Sequence, residues 1–422
     1  MINSWILSNN ARLVVEEIPH VRSAAIGIYI KVGSRHEPDH LSGVSHFIEH
    51  MLFKGSEKRS AREIAESFEG LGGQLNAFTS REYTCVYART LDENIFKAAD
   101  IIFDMVFNSA FSAKEFNTEK GVIIEEINML EDAPDDLIHD LFFQKLWDKH
   151  PMGNFILGTT ESVLNCSREE AYKFYKSCYI PSNMVIAVAG QVNKLRIRDL
   201  VEEYLQKQSF KETELISPQT QGYYPFINLN NKDTEQVQIC IGVPGISYFD
   251  NDRYTQSIMN SILGGGMSSR LFQTIREEMG LAYSVYSYPS NYSDTGAYTI
   301  YIGTGNNKIE KFFEVLYSEI EKFTSKGVND NELSRTKQLM KSSIYLGLEN
   351  VMNRMNRIGK SMLMYDKLIP VDEVINNILS VDKEMVQYFS SRLLDRHKFS
   401  LAAIGPVDAL NKADKEYRKW SQ

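Results

Sequence analysis

Two copies of an α+β domain joined by a polar linker are what this 422-residue sequence predicts. The stretch from Gln206 to Lys232 is polar and aperiodic, and Ser217-Pro218-Gln219-Thr220-Gln221-Gly222 supplies breaker residues with little to bury. The two sides of it look alike. Each opens with an apolar run closing on glycine (Ile30-Lys31-Val32-Gly33; Gly242-Val243-Pro244-Gly245), and each closes with another (Val185 to Val192; Ser400 to Val407). A chain of this length, 43% hydrophobic and 24% charged, also exceeds what one compact core usually holds. The expected division is an N-terminal domain over 1–206, a linker over 207–232 and a C-terminal duplicate over 233–422.

Turn signals and β-branched runs between residues 11 and 33 predict a hairpin or two sheet strands, Leu13-Val14-Val15 and Ile26 to Gly33. A helix follows, with Ser42 as its expected cap and with Val44, Phe47, Ile48, Met51, Leu52 and Phe53 making it apolar nearly all round. Capping boxes open three more helices at Ser60/Glu63, Ser112/Glu115 and Ser167/Glu170. After Gly70-Leu71-Gly72-Gly73 come two strand-like runs, Leu75 to Thr79 and Tyr83 to Ala88.

A net charge of -9 without a basic run argues against nucleic-acid binding, which depends on neutralising phosphates. No stretch approaches the roughly 18 apolar residues of a membrane span, and the N-terminus lacks a secretory pattern. Cys85, Cys166, Cys178 and Cys240 show no C-x-x-C spacing, so free buried thiols in a reducing cytoplasm are expected.

The chemistry concentrates in His46-Phe47-Ile48-Glu49-His50. On a helix, positions 46 and 50 lie roughly 6 Å apart on one face, within reach of one metal ion, and Glu49 falls beside that face. The H-x-x-E-H order is the inverse of the commoner H-E-x-x-H zinc motif. A catalytic zinc site needs a third protein ligand and an open position for water. Glu126 is the candidate: Val122, Ile123, Met129 and Leu130 neighbour it at helical spacing, which places its carboxylate on an expected buried stripe. Glu119, seven residues before Glu126, shares its angular position and could orient a ligand imidazole. The other histidines (His20, His36, His40, His139, His150, His397) sit among polar or turn residues and are not expected to be ligands.

These residues together resemble the pitrilysin/insulysin family of inverted zinc metallopeptidases, in the branch of roughly 400-residue subunits that includes the mitochondrial processing peptidases. The resemblance spans essentially the whole chain. It rests on H-x-x-E-H, on Val122-Ile123-Ile124-Glu125-Glu126-Ile127, on Glu119, and on Gly72-Gly73-Gln74-Leu75-Asn76-Ala77-Phe78-Thr79. In the second half, Gly264-Gly265-Gly266-Met267-Ser268-Ser269-Arg270-Leu271-Phe272, then Arg276 and Tyr283, is similar to the family's Arg/Tyr element. Without the resemblance, Arg276 reads as a helix-surface ion-pair residue and Tyr283 as a core strand residue.

The resemblance implies two mostly antiparallel sheets flanked by helices, forming half of a clamshell. It implies Zn²⁺ held by His46, His50 and Glu126, Glu49 as general base, and Glu119 in support. Asn76, Ala77 and Phe78 would offer an edge strand to extended peptides, and Arg276 and Tyr283 would reach the zinc of a partner chain. One sequence carrying both sets implies a homodimer with composite sites. Two alternatives stand beside the endopeptidase: a dedicated leader peptidase needing a different partner subunit, and a non-catalytic peptide-binding subunit.

Overall fold

The computed structural model describes residues 2–207, 217–220 and 222–421, so the expected linker positions 208–216 and 221 lie outside the described residues. The chain forms two compact units. The first contains β1 (Ile2–Ile6), β2 (Arg12–Glu17), β3 (Ser23–Ile30), β4 (Gln74–Thr79), β5 (Thr84–Leu91) and β6 (Met184–Gly190) in the sheet order β1-β2-β6-β3-β5-β4. The second contains β7 (Ile227–Asn231), β8 (Gln236–Pro244), β9 (Ala282–Asn291), β10 (Gly296–Gly305) and β11 (Ser400–Gly405) in the order β7-β11-β8-β10-β9.

The duplication is visible strand by strand. β3 lies antiparallel between β6 and β5, as β8 lies antiparallel between β11 and β10. β2 pairs parallel with β6, as β7 does with β11, and every other pairing is antiparallel. The four glycine-closed runs singled out in the sequence fall on or beside β3, β8, β6 and β11, which occupy equivalent places. β2 and β3 are not a hairpin, because the fully buried β6 separates them.

The continuous domains 1–206 and 233–422 need correction at two segments. Leu130–Gly153 belongs with the second unit, and Ile344–Ile369 belongs with the first. Sheet packing explains both. The helix within Leu130–Gly153 places Ile138, Phe142, Phe143 and Leu146 against Cys240, Ala297, Ala402 and Ile404 of the second sheet. The helix Val351–Tyr365 places Val351, Met355 and Ile358 against Val14, Ala25, Tyr29, Val185 and Ala187 of the first. Strands apolar on both faces need cover on both, and each sheet's second cover comes from the other half of the sequence.

Four helices position the site: α1 (Val44–Leu52) and α2 (Ala61–Gly70), between β3 and β4, and α3 (Ile95–Phe107) and α4 (Ala113–Asp132), after β5, with α4 passing into the second unit at Leu130. Val44, Phe47, Ile48, Met51 and Leu52 of α1 are buried in one cluster with Ile28, Ile30, Phe116 and Ile123. The Ser60/Glu63 and Ser167/Glu170 boxes form as expected, and Ser112 Oγ accepts from Glu115 N–H. The cap of α1 is different. Its N-cap is Gly43 at φ 91°, and the buried Glu37 carboxylate accepts from the N–H groups of Gly43 and Ser45 at 2.7 Å each. A side chain at 43 would lie 2.6 Å from the Leu157 carbonyl oxygen, so this close left-handed turn requires glycine.

Candidate metal centre

Helix periodicity places His46 and His50 on one face of α1, their ring centroids 4.6 Å apart and their planes inclined by 67°. α4 brings Glu126 to the same point: its Oε2 is 3.6 Å from Nε2 of both His46 and His50. One donor atom from each of the three residues lies within 4.8 Å of the others. A tetrahedral zinc with bonds of about 2.0–2.2 Å separates its ligands by roughly 3.3–3.5 Å, so these donors fit one ion with little movement. Among the described residues the two imidazoles are the only ion-pair partners of Glu126. Burial, with the neighbouring His50, depresses the His46 pKa to about 3, which keeps its ring neutral as a ligand must be.

Glu126 does not lie on a wholly buried stripe. Ile123 is buried, but Val122 is 39% and Met129 70% exposed, so Glu126 stands where the buried face of α4 meets its open one. The buried line is Phe116, Glu119, Ile123 and Ile127. That border is what a metal ligand needs, since one coordination position must remain reachable.

The supporting carboxylate is fully enclosed. Glu119 is 1% exposed, and its Oε2 accepts from His50 Nδ1 at 3.0 Å, which directs Nε2 toward Glu126. Its other oxygen receives Lys54 Nζ at 2.7 Å. Glu49 sits on α1 between the two histidines and accepts a 2.6 Å hydrogen bond from the Thr79 hydroxyl at the end of β4. Burial raises its pKa, against the pull of Thr79 and His50.

Among the described residues β4 is an edge strand, paired to β5 alone. Asn76 is exposed, Ala77 buried and Phe78 partly buried, and the Asn76 side-chain oxygen accepts from the Ala77 N–H at 2.8 Å. Arg276 and Tyr283 lie in the second unit and meet each other: the guanidinium is 4.8 Å from the Tyr283 ring centre and 4.7 Å from that of Phe272. Arg276 belongs to a π-helical segment, Phe272–Glu278, and Tyr283 is the second residue of edge strand β9, with 78% of its surface exposed. Tyr283 is therefore not the core residue its strand pattern suggests. Three contributors went unread in the sequence: Lys54, the Thr79 hydroxyl as partner of Glu49, and Glu37 as the cap. Lys54, four residues after His50, carried the one spacing signal among them.

Paired α+β units, the first carrying an inverted H-x-x-E-H helix opposite a distant glutamate, define the architecture of a zinc-peptidase family. Residues 12–160 match the family description "Insulinase (Peptidase family M16)", and residues 165–340 match "Peptidase M16 inactive domain". The chain is 42% identical over 408 residues to the uncharacterized zinc protease YmxG of Bacillus subtilis (strain 168), an alignment covering 96% of this chain and 98% of the relative. It is 38% identical to an uncharacterized zinc protease of Rickettsia felis, covering 95% of this chain and 97% of that one. In fold it is similar to a protease from Helicobacter pylori, with a TM-score of 0.91, 20% identity and coverage of 96% and 99%. A structure described as the peptidase M16 inactive domain from Pseudomonas fluorescens gives 0.90 at 19% identity, covering 96% and 98%. The chain belongs to the M16 (insulinase) peptidase family. No helix among its described residues is long and apolar enough to cross a membrane, and all four cysteines are free and buried.

Proposed function

We propose that this chain is a zinc metalloendopeptidase acting on unfolded or extended peptides. The convergence of His46, His50 and Glu126 beside a carboxylate that is not a ligand, Glu49, carries the reading. Zinc bound by those three residues would supply a Lewis acid for the scissile carbonyl and bring the pKa of a coordinated water near neutrality. Glu49 in its ionised form accepts the water's proton and then passes it to the leaving amine. Thr79 holds Glu49 by its hydroxyl and ties that base to the strand on which substrate would lie. An extended peptide pairing with the β4 edge through its backbone would take over the Ala77 N–H from Asn76, a mode that tolerates varied side chains.

Arg276 and Tyr283 would bind substrate carbonyl or carboxylate groups and donate to the developing oxyanion. One such donor is typically worth about 2.7–4 kcal/mol of barrier. We assign them to the metal centre of a second copy, in a homodimer with two composite sites. Four buried thiols support a cytoplasmic setting.

The test uses the chain purified alone. Cleavage of an unstructured peptide, abolished by a chelator and restored by zinc, is expected. Zinc-loaded protein that cleaves nothing by itself would favour the non-catalytic or partner-dependent alternative. Mixing Glu49→Gln chains with Tyr283→Phe chains should restore activity if sites are shared, and no recovery despite subunit exchange would refute the composite site.

A further inference from the structure

We infer that Lys54 is a positioning residue of the metal centre, acting through Glu119 to fix the ring of His50. The inference rests on the zinc reading above. Glu119 is 1% exposed, yet both its oxygens are engaged, one by His50 Nδ1 at 3.0 Å and the other by Lys54 Nζ at 2.7 Å. A buried carboxylate with a single hydrogen-bond partner keeps freedom about its last torsion. Held at both ends, it presents one oxygen in one direction, and the imidazole that donates to it is set by that direction.

Local backbone geometry explains why a lysine at this place can do so. α1 ends at Leu52, but Phe53 stays in the right-handed helical region (φ -87°, ψ -9°), and Lys54 N–H still bonds back to the Met51 carbonyl at 3.2 Å. Lys54 thus remains almost in helical register four residues beyond His50, over the same side of α1, where Glu119 of α4 lies. Its ammonium also sits at the carbonyl end of α1, where a positive charge is favoured. Lys54 keeps 32% of its side chain accessible, so truncating it opens no cavity in the core. The chain from Lys54 through Glu119 and His50 ends at His50 Nε2, 3.6 Å from Glu126. Freedom introduced at its outer end becomes misalignment of a ligand at its inner end.

Zinc affinity by chelator competition is the decisive measurement, because it does not depend on peptide cleavage. Lys54→Met should bind zinc about 10–100-fold more weakly, the usual cost of losing a partner that orients a metal ligand. Lys54→Arg, which keeps the charge and a donor, should restore affinity to within a few-fold. Glu119→Gln should weaken binding comparably, and adding Lys54→Met to it should change little further, since the lysine acts through that carboxylate. The melting temperature of each metal-free variant reports folding separately. Native affinity in Lys54→Met, or a full additive loss in the double variant, would overturn the inference and leave the peptidase reading untouched. Parent protein that binds zinc, shows this affinity pattern and cleaves no peptide would sink the peptidase reading alone. Parent protein without zinc affinity would overturn both.

Discussion

In the first unit the helix that follows β3 carries His46, Glu49 and His50; in the second, the helix that follows β8, Arg253–Leu263, carries Gln256, Met259 and Asn260 at the same spacing. The strands around the two helices pair identically, so the difference lies in side chains. Asn260 accepts from Ser287 at 2.8 Å and Gln256 from Asn291 at 2.9 Å, both partners standing on β9. Neutral amides close on the neighbouring strand and need nothing else to be held in place. The imidazoles of α1 instead aim two Nε2 atoms at a carboxylate 3.6 Å away, an arrangement that an ion completes. Four residues after Asn260 stands Gly264, where a Cβ would lie 2.4 Å from Ser287 Oγ, whereas four after His50 stands Lys54. Among the described residues, the donor set that could hold an ion thus stands in the first unit, where the helix ends beside a supporting charge and faces an acid on another helix.

The sharpest way to break this comparison is to remove the base while keeping the metal. Glu49→Gln should lower kcat for peptide cleavage by about 10²–10⁴-fold at unchanged zinc content, and activity within tenfold of the parent would exclude Glu49 from proton transfer. Next in size is the distant ligand. Glu126→Gln should take zinc from about one per chain to a small fraction of that after dialysis, with the far-UV spectrum preserved. Metal retained at parent level would show that the acid on α4 is not a ligand.

Acidification should separate the units. Burial raises the Glu49 pKa in the metal-free site, and activity should fall on the acid side as that carboxylate takes up a proton. In the second unit Glu332 behaves oppositely. Burial works against its ionisation, but the Arg270 guanidinium, which donates to both of its oxygens at 2.7 and 2.8 Å, and the Asn329 N–H outweigh it and lower the pKa. A lowered folded pKa contributes stability above the ordinary value and loses it as pH falls through the folded one. Glu332→Gln should cost about 1.5–3 kcal/mol at pH 7, and its melting temperature should converge on the parent's in acid. A difference that persists at the acid extreme would mean the pair is not what holds this segment. The smallest effect belongs to the periphery of the first unit. Ser60→Ala removes the cap of α2 and should cost about 1 kcal/mol, read as a lower melting temperature, while zinc affinity stays at the parent level.

Much of this was legible before any coordinates. Local signals read well: the boxes at Ser60 and Ser167, the two strand runs that become β4 and β5, and the apolar α1 depend on residues close in sequence. Helical spacing singles out Glu126 by its apolar neighbours, yet two of them, Val122 and Met129, are exposed in the structure. Helical spacing says which residues share a face and cannot say what covers that face. Ser42 was a plausible cap displaced by Glu37, because an enclosed carboxylate with two N–H donors suits a helix start better than a serine and requires Gly43 at positive φ. The exchange of Leu130–Gly153 and Ile344–Ile369 between units was hidden for a related reason. An amphipathic helix advertises an apolar face without naming the sheet it will meet.

By itself the sequence determined the donor types and their spacing on α1, the duplicated strand pattern and the acid seventy-six residues beyond His50, since periodicity and residue chemistry are local properties. Only the tertiary structure decided that Glu126 reaches both imidazoles, that Glu119 is shared between His50 and Lys54, and which sheet each exchanged helix covers. Those are distances between residues far apart along the chain, set by how buried faces pack together.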